Sequence, residues 1–183
     1  MGENGTKREQ VLAAAVKVVR ESGAAQLTLE AVASKAGVSK GGLLYHFPNK
    51  EILIQAMVDE LMDGYVADIE ERVAIDRHPH GKWSRAYVES TFQELEDGFN
   101  MSSGLLAALF MNPALLSKLR EQYAIWQKKI GREESDSIRP VIARLAADGL
   151  WFAEIFGLAP PDEKLRSQVA KELISWTKEE GDR

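Results

Sequence analysis

Residues 28–51 read TLEAVASKAGVSKGGLLYHFPNKE, and the spacing of residue types within this stretch decides the fold. Thr28 is an N-cap residue: a hydroxyl oxygen there satisfies one of the N–H groups that the first helical turn leaves without a partner, and Glu30 favours the positive end of the same helix. Leu27 precedes the cap and Val32 follows it by four, the arrangement of a hydrophobic staple. The helix so begun runs to about Lys35. Gly37 then supplies the turn, Ser39 caps a second short helix ending near Phe47, and Pro48 interrupts the pattern. Leu29, Val32, Ala33, Ala36 and Val38 are the small apolar contacts that hold two such helices at their angle. Two short helices joined by a tight glycine turn match a helix-turn-helix, whose second helix is sized for the DNA major groove.

That second helix has a surface that stability alone would not choose. Gly41 and Gly42 stand in its first turn, where each glycine costs roughly 1 kcal/mol relative to alanine. Either this segment is a loop, or the backbone is kept bare so that a partner approaches closely. Ser39 and Lys40 lie where a hydroxyl, an ammonium and helix N–H groups meet phosphates or base edges. Tyr45 and His46 are placed to donate to phosphates, the alternative being a buried tyrosine and a capping histidine.

Outward from this stretch the chain reads as helix with short breaks. Upstream, Thr6 and Glu9 form a capping box that launches Val11, Leu12, Ala15, Val16, Val18 and Val19 at helical spacing, and the helix stops near Gly23. Downstream, Asn49 caps a long helix with Ile52, Leu53, Ala56, Met57 and Leu61 on one face, and residues 77–81 form a connector. Further helices are expected at 82–99, 103–111, 113–130, 135–157 and 162–179. The expectation is therefore an all-α fold of about nine helices, with an N-terminal three-helix domain at 1–48 and a helical domain at 49–183.

Charge divides the same way. The net charge is -5, yet residues 1–50 carry seven Lys/Arg against four Asp/Glu, and the remainder carries sixteen against twenty-four. A basic head on an acidic body still attracts phosphates, because screening over about 8 Å confines the potential to its own face. The longest strictly apolar stretch, residues 105–111, is too short to span a bilayer, and the polar first ten residues do not form a secretory leader. A cytoplasmic chain is expected. Without cysteine there are no disulfides, thiolate metal sites or cysteine nucleophiles. His46, His78 and His80 are the available imidazoles; the last two flank a proline in a polar connector without a carboxylate cluster. Gly42 is followed by Leu43 rather than the Lys-Ser/Thr pair of a P-loop. Neither catalysis nor a cofactor is expected. A helical interaction module is the other alternative, against which the basic head and Lys50 argue.

Leu29-Glu30-Ala31-Val32-Ala33, Ala36 to Gly41 and Tyr45 to Glu51 together resemble the signature of the TetR family of transcriptional regulators over about residues 7–60. The resemblance implies that Thr28, Ser39, Lys40, Gly41, Gly42, Leu44, Tyr45 and His46 face DNA, with Lys50 reaching a phosphate. Many relatives carry the tyrosine one position earlier, where this chain has Leu44, leaving either Leu44 or Tyr45 as the contact. It also implies a homodimer with recognition helices about 34–36 Å apart on a pseudo-palindromic double-stranded operator, release by a small organic effector, and repression as the usual outcome.

The acidic half has no comparable signature. Apolar stripes run through Ile138, Val141, Ile142, Leu145, Leu150, Phe152 and Phe156, and through Leu165, Val169, Leu173 and Trp176. They fit a four-helix dimer interface, with Ile142, Leu145, Leu150, Phe156, Leu165, Val169, Leu173 and Trp176 as its candidates, or packing within one chain. Met57, Tyr65, Phe92, Phe110, Tyr123 and Trp126 are candidates to line an apolar effector pocket, with Gln93, Asn112, Tyr123 and Gln127 as its polar members; ordinary core is the alternative.

Overall fold

The computed structural model describes residues 6–96, 106, 112–133 and 137–178. Within them run eight α-helices and no strand: α1 (Lys7–Ser22), α2 (Leu29–Ala36), α3 (Lys40–His46), α4 (Lys50–Ile75), α5 (Lys82–Glu96), α6 (Pro113–Glu133), α7 (Arg139–Phe156) and α8 (Glu163–Trp176). The all-α expectation holds. The short helix expected at 103–111 lies outside the described residues, except for Leu106, which is helical and buried.

Helix starts obey their caps. The Thr6 N–H donates to Glu9 Oε2 (2.8 Å) while the Glu9 N–H donates to Thr6 Oγ1 (3.3 Å), closing the capping box. Thr28, Ser39 and Asn49 accept from the N–H groups of Ala31, Gly42 and Ile52 at 3.1, 3.1 and 2.8 Å. Asn112, a candidate polar pocket member, instead points its carboxamide oxygen at the N–H groups of Ala114 and Leu115 and caps α6. Helix ends are equally local. Gly37 takes the left-handed conformation (φ 66°, ψ 29°), and the Val38 N–H donates to the Ala33 carbonyl, so α2 stops and the chain reverses toward α3.

The chain divides into two compact units: residues 1–62 with 101–116, and residues 63–100 with 117–183. The sequence-based boundary after Pro48 thus differs from the division, because the first half of α4 belongs to the head. Leu53, Ala56, Met57 and Val58 are buried there. In the head α1 packs on α2, and α2 on α3. Val11, Leu12, Ala15, Val18, Val19, Leu27, Val32, Leu43 and Phe47 are also buried in this unit. In the second unit α5 packs on α7 and α8, around Ile69, Tyr87, Val88, Phe92, Trp126, Ala143, Ala147, Leu150 and Leu173.

Candidate functional site

Helix α3 is held from one side and bare on the other. Leu43 and Phe47, four residues apart, are buried and anchor it to the head. Rotation by about 100° per residue puts Gly41 and Tyr45 on the opposite ridge. Tyr45 is 85% exposed and its ring meets that of His46 edge-on at 5.0 Å, whereas Leu44 and His46 are half-buried. Of the two alternatives left by the sequence, Tyr45 is the side chain projecting into solvent.

The glycines can now be judged. Neither Gly41 nor Gly42 has a positive φ, so the backbone does not demand them. Among the described residues, a methyl group at position 41 would meet nothing within 4 Å, and one at 42 would touch only the Ser39 hydroxyl, at 3.2 Å. Packing among the described residues therefore gives no reason for Gly41. The bare surface is an outward property.

Hydroxyls and charges surround it. Thr28 and Ser39 are exposed, and because their oxygens accept the capping N–H groups, their hydroxyl protons remain available to an acceptor outside. Lys40 is exposed, but its ammonium lies 2.5 Å from the Glu30 carboxylate and holds that carboxyl below the usual carboxylate range. Sequence reasoning missed this pair. Its ten-residue separation crosses the turn, so no helical spacing announces it. Lys50, at the first position of α4, is half-buried and makes no ion pair with a described residue.

In the second unit, four of the six pocket candidates come together. Tyr65, Phe92, Tyr123 and Trp126 belong to one cluster, centred on Tyr87. The rings of Tyr65, Tyr87 and Tyr123 each meet Trp126 edge-on at 5.2–5.6 Å. Met57 lies in the head instead, and Phe110 is outside the described residues. Gln93 is exposed. Polar groups that the sequence did not single out are embedded in the cluster. Asp148 accepts from the Tyr87 hydroxyl, from the Tyr123 hydroxyl (3.2 Å) and from Arg144 Nη1 (2.9 Å). Burial raises the Asp148 carboxyl above its ordinary range despite these donors, pushes Tyr123 up to about 12, and raises Tyr87 further. The available signal was a lone Arg/Asp pair one turn apart in the otherwise apolar stretch 140–153.

The dimer candidates split. Leu150 and Leu173 are buried in the unit's own core, and Val169 and Trp176 pack against it, so these four are accounted for within one chain. Ile142, Leu145, Phe156 and Leu165 are exposed, together with Ile138 and Phe152. Positions 138, 142, 145, 149, 152 and 156 follow the alternating four-three spacing of a helix-pairing seam, apolar throughout except for Gly149.

Comparison with known proteins bears on both units. Residues 11–57 match the family described as bacterial regulatory proteins, tetR family, and residues 81–178 match the tetracyclin repressor-like C-terminal domain. The chain is 26% identical over 186 residues to the HTH-type transcriptional regulator BetI of Burkholderia ambifaria, covering 95% of each. It shares its fold with a TetR transcription regulator from Haloarcula marismortui (TM-score 0.74, 18% identity, 94% of this chain and 98% of that one). AibR, solved in complex with isovaleryl coenzyme A and operator DNA, has the same fold (TM-score 0.65, 18% identity, 94% and 98% covered). With its head and its C-terminal domain both matched, the second over more than half the chain, this protein belongs to the tetR family of bacterial regulatory proteins.

Proposed function

We propose that the chain is a cytoplasmic, ligand-responsive transcriptional repressor. It binds a pseudo-palindromic operator as a homodimer, lets go when a small organic effector occupies the second unit, and catalyses no reaction. The observation carrying this reading is Gly41, a glycine that neither backbone conformation nor internal packing requires, on the exposed ridge of a helix sized for the major groove. Around it, Thr28, Ser39, Lys40 and Lys50 supply two hydroxyls and two ammonium groups for phosphates, and Tyr45 and His46 extend the same face.

Family membership and the exposed seam on α7 support the dimer. Six positions in register, five of them large apolar residues, are costly to leave in water, and a second copy buries them by symmetry. AibR is a relative in fold solved with both an acyl coenzyme A and operator DNA, which supports an effector acting on DNA affinity. The effector works only through different affinities for the DNA-competent and released states. Helix α4 carries residues of both units and is one of the stretches of chain that join them.

Selection from a random duplex pool with the purified full chain tests the proposal. A palindromic winner, bound by two copies, is expected. No enrichment over random DNA, repeated after unfolding and refolding to strip any carried ligand, refutes it.

A further inference from the structure

The core of the second unit contains a charged group whose hydrogen bonding is incomplete. Arg144 and Asp148 sit one turn apart on α7, both largely buried. Asp148 already receives three donors, from Tyr87 on α5, Tyr123 on α6 and Arg144 itself. Arg144 is not so served. Its Nη1 holds Asp148, while its Nε is buried and is the one such side-chain nitrogen or oxygen among the described residues without a hydrogen-bond partner. A guanidinium N–H left unpaired away from water is destabilising, and a side chain kept only for stability has cheaper alternatives. The unused capacity of this cluster is thus a donor, and a charged one.

Arginine presents Nε and Nη2 along one edge, a fork that matches the two oxygens of a carboxylate. The guanidinium lies 5.8 Å from the centre of the Tyr123 ring, and from Tyr123 the contact runs on through Trp126 to Tyr65 in the apolar cluster that also contains Phe92. We propose that the Nε edge of Arg144 receives the carboxylate of a small organic acid whose aryl or alkyl body rests among these rings, and that this acid is the effector. The proposal rests on the reading of the second unit as the effector domain. A cationic ligand is disfavoured, because to reach Asp148 it must displace Arg144.

The test uses the full chain, tryptophan fluorescence and thermal unfolding, with probes differing in one group: 3-phenylpropanoate, its amide, 3-phenylpropylammonium, and straight-chain alkanoates from two to ten carbons. At least one carboxylate is expected to bind, to raise Tm and to weaken binding to the selected duplex, with the amide about tenfold weaker or worse and the ammonium inert. Arg144→Gln should lose about tenfold or more in carboxylate affinity, and Arg144→Lys, charged but without the fork, should fall between. Failure of every carboxylate, preference for the ammonium probe, binding undiminished in Arg144→Gln, or binding without effect on DNA affinity overturns the proposal. The wild-type probe ranking decides even if neither variant folds. Absence of DNA binding by the ligand-free wild type would instead strike the regulator reading itself.

Discussion

A methyl group at position 41 should have opposite effects on stability and on binding. Gly41→Ala adds helix propensity in open space, so stability should rise by about 0.5 kcal/mol in denaturant unfolding. Affinity for the selected duplex should fall at the same time; unchanged affinity would mean that nothing approaches this ridge. Lys50→Ala should weaken binding to all sequences alike and reduce the salt slope by about one, the signature of one lost phosphate contact, and an unaltered slope would remove Lys50 from the interface. Residues at this scale were legible where they act locally. Thr6, Thr28, Ser39 and Asn49 announce their caps by type and spacing, and Gly37 its turn. The Lys40–Glu30 pair was not legible, since charge counts record both side chains without showing that they meet across a turn. Nor did periodicity choose between Leu44 and Tyr45; that depended on how far α3 is rotated by the burial of Leu43 and Phe47.

Elements in the second unit are tied by polar groups as well as by their apolar faces. Arg85 on α5 is buried, donates to Asp76 beyond the end of α4 (Nε–Oδ2 2.7 Å), to the Thr177 carbonyl just past α8 (3.2 Å) and to the His80 carbonyl in the connector (3.1 Å). Burial alone would raise the Asp76 carboxyl, but the His78 N–H and the Arg85 guanidinium outweigh it and hold it below the usual carboxylate range. A carboxyl depressed in the folded state contributes stability above its unfolded pKa, about 3.9, and that contribution is lost as pH falls through the folded value. Urea unfolding between pH 7 and pH 3 should therefore show the acid limb flattened in Asp76→Asn and its neutral plateau lowered by about 3 kcal/mol, the range for breaking a buried pair. An acid limb identical to wild type would contradict the assignment. Asp148, raised by burial, works in the opposite sense: its folded state gains relative stability at low pH and loses it as pH rises through the folded value. None of this knot was readable beforehand, because Arg85 and Thr177 are ninety-two residues apart. The stripes on α7 and α8 were readable, but not their division: an apolar helix broad enough to face both a core and a partner does not say which residue faces which, and Leu150 and Leu173 turned inward while Leu145 and Leu165 did not.

For the whole molecule, reading a pseudo-palindrome requires two copies acting as one. Leu145→Lys, at a side chain 54% exposed in the single chain, should leave helical content nearly intact, yet shift sedimentation to the monomer and abolish operator binding at the same concentration. A dimer that persists, or a wild type that is already monomeric, would remove the α7 seam from the interface. The three-helix head and the helical character of the later described segments followed from local pattern. The aromatic and acidic cluster did not, since Tyr65, Tyr87, Tyr123 and Asp148 come from four helices that only folding brings together. Titrating the selected duplex at stepped salt concentrations shows whether the bare face of α3 meets duplex DNA in a paired molecule. Two chains per duplex are expected, with an affinity falling steeply and linearly in log–log form with salt, as several phosphates release their counterions. Binding that is absent, or that is indifferent to salt, would contradict this reading.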